Sequence, residues 1–382
     1  LNKLIATAAC ASLCSALLTA CGGSRTAAGS ASASAAVSTQ DIAGSTAGTS
    51  AQSAQAADTS AAGAAQDASA AGASAEAAAA SAAAASAAEA SAAASTAEAS
   101  SSTEVREHER PAFDGYVTNA DGKQLQIVFL GDSQFDNFRD ETGIAFLVMK
   151  YLQADIYNLS MGGTTFSLDR VDNSSTENWN ARCGLGIAKA IAGQVSDSFF
   201  DGYEAHRQFA ECDFSKTDVF VIEYGVNDFL ANHPHTGRYE NDPYSYTGAI
   251  TDAVQVLKEK YPSAKVLICT PTYAYFNKSN NQNGYTGDSN MTQNNYATLA
   301  DYAGAVESLT QKIGADCYDA YDVSGITNSN YDSYLLDGIH MNEKGRRMYA
   351  QGVCRIILRE MGYTVEEGKN LDELDFSTLT RN

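Results

Sequence analysis

The sequence has little positive charge: 25 Lys and Arg residues stand against 46 Asp and Glu residues, and the formal net charge of the 382-residue chain is −21. Such an acidic chain repels phosphate groups, so we expect it to bind neither nucleic acid nor the headgroups of anionic lipids. Neutral and cationic substrates remain compatible with this charge.

Metal and nucleotide motifs are also missing. The sequence contains no C-x-x-C pair, which argues against the usual zinc sites, and no G-x-x-x-x-G-K-[ST], which argues against a P-loop. Residues 104–382 contain no G-x-S-x-G either, so a serine nucleophile there does not use an α/β-hydrolase elbow. We therefore expect neither a metal nor a cofactor.

Cysteines are few and far apart in the part of the chain that can fold. Five of the eight lie beyond residue 103, and several of these sit in apolar runs such as "KVLICT" and "GVCRIIL". Buried small apolar side chains are the favoured interpretation. An exported protein could also form disulfides, but an odd number leaves at least one thiol free, and the pairing stays open. The five are Cys183, Cys212, Cys269, Cys317 and Cys354.

The first residues lack an apolar run long enough to cross a membrane as a helix, which takes about 20 residues. The apolar stretch over residues 4–18 follows Lys3 and leads to "LTACGG", where Cys21 resembles the modified cysteine of a bacterial lipobox. We expect residues 1–23 to be a lipoprotein signal and Cys21 to carry a lipid anchor that holds the exported protein at the bacterial cell surface. The alternative is an ordinary cleaved signal with an incidental cysteine.

Residues 24–103 consist almost entirely of Ala, Ser, Gly and Thr. They have almost no branched apolar or aromatic side chains, so they cannot bury enough surface to offset the entropy lost on folding. We expect a tether that is a flexible coil in its first half and partly helical in its Ala-rich second half. One folded domain should follow over residues 104–382.

Within that domain, short apolar runs alternate with helical patterns. Such alternation is typical of βαβ units, and it predicts a three-layer α/β/α fold with a mostly parallel five-stranded sheet. The predicted strands are "LQIVFL", "DIYNLS", "DVFVIEYG", "AKVLICT" and "DCYDAYDV", and the predicted helices are "IAFLVMKYL", "GAITDAVQVLKEKY", "YATLADYAGAVESLTQKI" and "EKGRRMYAQGVCRIILREM". Ligands of such sheets gather at the carboxyl ends of the strands, where "GDS" (131–133) and "GVND" (225–228) both fall.

Four short blocks occur in order: "GDS", "NLSMGGTT", "GVND" and "DGIHMNEKG". Together they resemble the signature blocks of the SGNH/GDSL hydrolases, over roughly residues 124–362. The resemblance implies a flavodoxin-like SGNH-hydrolase fold and a serine esterase that works without a metal or cofactor. Each block alone is weak, but the set in this order and context is specific.

The residues of two blocks have the chemistry of a Ser-His-Asp triad. The hydroxyl of Ser133 is a weak nucleophile until a base removes its proton. His340 can be that base, because Asp337 lies three residues earlier and can fold back onto one ring nitrogen, leaving the other to face Ser133. Taken alone, Asp337 and His340 could equally be ordinary residues before a helix that starts near Asn342.

The resemblance also implies an oxyanion hole. Its donors would be the backbone N–H groups of Ser133 and Gly163 and the side-chain amide of Asn227. Many members of the family have Asn-x-Gly-x-x-Gly, whereas this chain has "NLSMGG", so the neighbouring Gly162 remains an alternative to Gly163. Asp132 is interpreted as a support of its loop and not as the triad acid.

The substrate is less well specified. Two loops, "NHPHTGRYENDPYSY" and "TYAYFNKSNNQNGYTGDSN", mix tyrosine with amides and hydroxyls, and the one tryptophan, Trp179, lies in a long crossover. Aromatic faces stack on sugars, and amides and hydroxyls can bond sugar hydroxyls, which favours a short acyl group, acetyl above all, on a glycan or other small carrier. The alternative is that these are ordinary solvated loops of an exported protein rich in tyrosine. The alternatives are a lipase or thioesterase for longer acyl chains, a decayed glycan-binding module and an uptake receptor. His233 and His235 are interpreted as residues of a proline-containing surface turn, with a metal or catalytic role at the mouth of the active site as the alternative. The oligomeric state stays open.

Overall fold

The computed structural model describes residues 112–169, 182–366 and 368–381. The predicted signal with Cys21, the predicted tether and Trp179 lie outside the described residues. No helix in the described part of the chain is long and apolar enough to span a bilayer. All five cysteines beyond residue 103 are free thiols, three of them buried and two half-buried.

Five parallel strands form the central sheet in the order β2-β1-β3-β4-β7. Every residue of β1 and β3 is buried, as expected for strands with helices on both faces. The predicted parallel sheet is confirmed. Its strands are β1 Gln126–Gly131, β2 Asp155–Asn158, β3 Val219–Glu223, β4 Lys265–Cys269 and β7 Asp316–Tyr318, and a separate antiparallel hairpin joins β5 Tyr275–Phe276 to β6 Gly287–Asp288.

Two sets of helices cover the sheet, so the predicted α/β/α layering is also confirmed. Helix α2 packs on α9, while α3 packs on α6 and α6 packs on α7. The helices are α1 Ser133–Asp136, α2 Ile144–Leu152, α3 Gly184–Ile191, α4 Glu204–Glu211, α5 Val226–Leu230, α6 Tyr246–Lys260, α7 Leu299–Ile313, α8 Ala320–Val323 and α9 Glu343–Glu360.

The last predicted strand is shorter than its apolar pattern indicated. After Tyr318 the chain turns at Asp319, whose side chain accepts a hydrogen bond from the N–H of Asp322 and so caps the short helix α8. An aspartate that can satisfy the free N–H groups of a helix start favours helix over continued strand. The "AYDV" half of the predicted strand "DCYDAYDV" is therefore helical.

Three loops leave the sheet at the carboxyl ends of its strands, an edge that we call the rim. Gly131 at the end of β1 pairs with Glu223 at the end of β3, and its carbonyl accepts from the N–H of Met161, which follows β2. A side chain at Gly131 would meet the Phe135 ring at 2.5 Å, so the position requires glycine. The loops after β1, β2 and β3 therefore leave the sheet side by side.

Candidate active site

Ser133 is the first residue of helix α1, directly after β1. The side chain of Asp132 caps this helix by accepting from the N–H of Gln134 at 3.0 Å. As the first residue of a helix, Ser133 has a backbone N–H without an intrahelical acceptor. The turn thus exposes both the hydroxyl and the N–H of a half-buried serine at the rim.

Ser133, His340 and Asp337 form a continuous chain of hydrogen bonds. Ser133 Oγ lies 2.9 Å from His340 Nε2, and His340 Nδ1 lies 2.7 Å from Asp337 Oδ2. Asp337 Oδ1 accepts from the backbone N–H groups of Ile339 at 2.9 Å and His340 at 2.8 Å. The structure places the three side chains as the sequence predicted, with the imidazole between hydroxyl and carboxylate.

The charges of this pair match the role of an oriented base. Burial alone would raise the pKa of Asp337, but hydrogen bonds from the ring and backbone of His340 and its charge outweigh it and lower the pKa to about 2. Burial alone would lower the pKa of His340, but the hydrogen bond and charge of Asp337, with the charge of Asp132, raise it above 6.5. Asp337 thus stabilises the imidazolium that forms when His340 accepts a proton.

Two amide side chains hold the loop that carries the histidine. On the side of the nucleophile, Gln134 Nε2 donates to the carbonyl of Ile339 at 2.9 Å. On the other side, Asn280 Nδ2 lies 2.8 Å from the carbonyls of both Asp337 and Tyr275. The sequence analysis missed both residues, because neither lies in a signature block with a known spacing to the histidine.

Amides of the Tyr- and Asn-rich loop before β6 are engaged within the protein. Besides Asn280, Asn277 donates to the carbonyl of Asp337 at 3.2 Å, and Asn281 donates to the carbonyls of Asn277 and Tyr285 at 2.8 and 2.9 Å. These hydrogen bonds within the protein order the loop.

The two candidate glycines of the oxyanion hole differ in their N–H groups. The N–H of Gly162 donates to Asp136 Oδ2 at 2.7 Å, so it is committed within the protein. Gly163 is exposed and has a φ of 73°, the left-handed region that favours glycine. The geometry favours Gly163 as the donor to a substrate.

Asn227 lies across the same opening, at the start of α5. Its Nδ2 donates to Asp132 Oδ2 at 2.9 Å and to the carbonyl of Thr164 at 3.1 Å. Asp132 thus aims the amide of Asn227 toward the loop that carries Gly163, which agrees with the predicted supporting role of Asp132.

A second carboxyl, Glu223, is buried against Asp132 at the end of β3. Both side chains are at most 1% exposed, and Glu223 Oε2 has no hydrogen-bond partner. Burial raises the pKa of Asp132 to about 6, and burial together with the Asp132 charge raises the pKa of Glu223 well above its ordinary value. Burial therefore favours the protonated form of both carboxyl groups, and in Glu223 the neighbouring charge of Asp132 adds to this effect. No sequence pattern indicated this pair.

A buried cluster of Ser167, Asp228 and His233 ties the oxyanion helix to the segment after β2. Asp228 accepts from the hydroxyl of Ser167 at 2.5 Å, and the same hydroxyl lies 2.8 Å from His233 Nδ1. The prediction of a surface turn is therefore wrong for His233, which is buried by its packing in this cluster; the cluster includes neither Ser133 nor His340. His235 has a buried Nδ1 without a partner, and burial lowers its pKa.

The described residues contain no group of three or more His, Cys, Asp or Glu side chains placed to hold a metal ion. The rim itself offers a hydroxyl, an imidazole backed by a carboxylate, and backbone and amide N–H groups.

Comparison with solved structures gives low sequence identities. A protein from Lactobacillus plantarum is 16% identical, with 62% of this chain and 97% of that one covered and a TM-score of 0.43. A possible lipase from Chitinophaga pinensis is 18% identical (63% and 99% covered, TM-score 0.42), and a carbohydrate acetylesterase from Sinorhizobium meliloti is 15% identical (62% and 100%, 0.42). No curated protein matches the chain.

The family comparison is decisive. Residues 129–348, more than half of the chain, match the GDSL-like lipase/acylhydrolase family. The matched range contains all four blocks and every residue of the rim described above. The chain belongs to the GDSL-like lipase/acylhydrolase family, the SGNH/GDSL hydrolases, and is a serine hydrolase of ester bonds.

Proposed function

We propose that the protein removes short acyl groups, acetyl above all, from a carbohydrate through an acyl-Ser133 intermediate. The observation that carries the proposal is the unbroken hydrogen-bond chain from Ser133 through His340 to Asp337 at an open rim of the sheet. This arrangement can turn a neutral hydroxyl into a nucleophile at neutral pH.

Acyl transfer starts when His340 Nε2 takes the proton of Ser133 and Oγ bonds to the ester carbonyl carbon. The electrons of the carbonyl double bond move to its oxygen. When that oxyanion collapses, the bond to the leaving alcohol breaks and His340 returns the proton to the alcohol. Water then attacks acyl-Ser133 with the same base, which releases the carboxylic acid and regenerates Ser133.

The oxyanion is stabilised by donors that lie opposite the base. The N–H groups of Ser133 and Gly163 supply two hydrogen bonds, and Asn227 supplies the third. Asn227 keeps its hydrogen bond to Asp132, 2.9 Å long. Its other N–H, which donates to the Thr164 carbonyl at 3.1 Å, donates to the oxyanion instead. Each hydrogen bond strengthens as negative charge develops on the carbonyl oxygen. The donors therefore stabilise the transition state more than the bound substrate, which lowers the barrier.

The preference for a short acyl group rests on the openness of the rim. The side chains of His340 and Asp337 are 25% and 42% exposed, whereas a long acyl chain requires an apolar groove beside the nucleophile. Leu336, beside Asp337, presents one apolar side chain that is 60% exposed. It matches an acetyl or similar group better than a fatty acyl chain.

The preference for a carbohydrate rests on exposed aromatic rings in the segments between β3 and α7. Tyr239, between α5 and α6, is 60% exposed, and Tyr296, between β6 and α7, is 55% exposed. Flat exposed rings bind the apolar faces of sugars. A lipase or thioesterase for longer acyl chains is the second candidate, since the description of the matched family names lipases as well as acylhydrolases.

We also propose that the enzyme works at the bacterial cell surface, held by a lipid on Cys21. The short apolar stretch that ends in "LTACGG" and the Ala/Ser-rich segment after it support this proposal. Metabolic labelling with an alkyne fatty acid tests it: the wild-type protein should be labelled and Cys21→Ser should not. Equal labelling of both proteins would contradict the anchor.

The substrate is tested on the full-length protein with p-nitrophenyl acetate, p-nitrophenyl octanoate and an O-acetylated xylo-oligosaccharide, each with Ser133→Ala as control. We expect acetate to exceed octanoate in kcat/KM by about 10-fold or more, and acetyl release from the oligosaccharide by the wild type only. Faster turnover of octanoate would favour the lipase. Binding of the oligosaccharide without hydrolysis of any ester would favour the decayed binding module.

A further inference from the structure

Asp136 connects the helix of the nucleophile to the loop of the oxyanion hole. It lies three residues after Ser133 in α1, and its carboxylate uses both oxygens. Oδ2 accepts from the N–H of Gly162 at 2.7 Å, and Oδ1 accepts from Nε of Arg139 at 2.7 Å. The two side chains are 28% and 16% exposed, so this ion pair is partly shielded from water.

Arg139 extends the same connection to two more groups of the loop after β2. Its Nη1 donates to the carbonyl of Asn158 at 3.1 Å, and its Nη2 donates to the carbonyl of Ser160 at 2.8 Å. One Asp–Arg pair therefore holds three backbone groups of residues 158–162. The planar guanidinium suits this task, because its N–H groups point in fixed directions and reach several acceptors at once.

The loop requires such a restraint because of its sequence. Gly162 and Gly163 are consecutive glycines, and glycine restricts its backbone less than any other residue. The N–H of Gly163 belongs to the peptide group between them, so nothing in the two residues themselves fixes where this donor points. An oxyanion donor contributes to catalysis only when it is already oriented before charge develops.

Charge adds a second requirement. A bare carboxylate at Asp136 would oppose the negative charge that develops beside Ser133, because like charges repel strongly in a partly buried site. Arg139, bonded to that carboxylate, neutralises it. Removing Arg139 alone should therefore lower kcat more than converting Asp136 to a neutral acceptor.

We propose that Asp136 and Arg139 are a positioning pair that orients the Gly163 N–H for the oxyanion. The proposal rests on the proposed function, since the oxyanion role of Gly163 belongs to it. The pair touches no reacting atom, and it acts through the backbone of residues 158–163. Asp136 also explains why Gly163, and not Gly162, faces the substrate.

The test compares kcat and KM for p-nitrophenyl acetate in full-length variants. Asp136→Ala should lower kcat by roughly 10- to 100-fold, less than the 10²–10³-fold of a removed oxyanion donor, with KM changed by no more than about 2-fold. Asp136→Asn keeps an acceptor for the Gly162 N–H and should recover part of kcat. The kcat of Arg139→Gln should be lower than that of Asp136→Asn, and the kcat of Arg139→Lys should lie between the two.

Glu204→Ala is the matched control, because Glu204 and Arg207 form an exposed i,i+3 ion pair of the same kind on helix α4. It should leave kcat unchanged. Wild-type kcat in Asp136→Ala, or in Asp136→Asn and Arg139→Gln if the alanine variant does not fold, would overturn the pair. A fall in kcat that only matched the fall in the fraction of folded protein, measured in a thermal scan, would also overturn it. Activity retained by Ser133→Ala would instead overturn the proposed function.

Discussion

Replacing Asp337 with asparagine removes the charge that keeps His340 basic, so the pH dependence of the enzyme should change. The carboxylate accepts a 2.7 Å hydrogen bond from the ring and holds the pKa of His340 above 6.5 against the opposite effect of burial. His340 works as a base in its neutral form. In the wild type, kcat/KM should therefore rise with pH through this raised pKa.

The size of the change follows from the strength of the bond. A hydrogen bond to a charged group contributes about 1.5–3 kcal/mol. The lower value applies, because the Asp337 side chain is 42% exposed and solvent screens its charge. At 1.36 kcal/mol per pKa unit, the rising limb of kcat/KM should move about one unit toward lower pH. The plateau should drop by about 10³–10⁴-fold, since an amide no longer fixes the productive tautomer.

The assay is the pH profile of kcat/KM for p-nitrophenyl acetate, with the rate of Ser133→Ala subtracted as background. Asp332→Asn is a matched control, because Asp332 is an exposed acid on the segment before the same loop. Its profile should equal that of the wild type. A rising limb in Asp337→Asn at the wild-type pH, or a plateau within 10-fold of the wild type, would refute the role assigned to Asp337.

Three further predictions concern stability and the buried carboxyl pair. The lowered pKa of Asp337, about 2, stabilises the fold above pH 3.8 and ceases to do so as pH falls through 2. In urea, Asp337→Asn should therefore cost about 1 kcal/mol at pH 7, after allowance for screening, and almost nothing near pH 2. Glu223→Gln mimics a protonated carboxyl and should keep kcat within about 3-fold, whereas Glu223→Leu should lose 10-fold or more. Gly184→Ala should lower Tm by roughly 10 °C, because its Cβ would lie 2.2 Å from the buried Phe166 ring.

Each of these predictions has a result that would contradict it. If Asp337→Asn lowered the free energy of unfolding equally at pH 7 and near pH 2, the charge of Asp337 would not be what stabilises the loop. A large loss in Glu223→Gln would show that Glu223 is ionised in the active enzyme. Gly304→Ala controls for helix propensity, because Gly304 lies in α7 with nothing within 4 Å of its Cβ position. Equal loss of Tm in both glycine variants would exclude the clash.

The sheet and its main helices could be predicted because their signals are local. β1 and β3 are uninterrupted apolar runs buried on both faces, and the "IAFLVMKYL" pattern matches α2 residue for residue. The β5–β6 hairpin could not be predicted, because strands of two residues are too short to show alternation. The early end of β7 depends on one capping aspartate, which competes with the apolar pattern that follows it.

The triad could be predicted for a similar reason: His340 lies three residues after Asp337, and the family blocks supply the long-range partner Ser133. The residues that orient these groups could not be predicted. Asp136 and Arg139 look like ordinary charges of a surface helix in the sequence, and their partners lie about 20 residues away in a different loop. Glu223 looks like a polar end of a strand, and only the pairing of β1 with β3 brings it against Asp132.

Covalent capture of the nucleophile tests the central claim most directly. The full-length protein is treated with a p-nitrophenyl alkylphosphonate, which mimics the tetrahedral intermediate, and the modified residue is located by peptide mass mapping. We expect one label per chain, on Ser133, with labelling slowed by several orders of magnitude in His340→Ala. A label on another residue, such as Ser160 or Ser167, or equal labelling of wild type and Ser133→Ala, would contradict it.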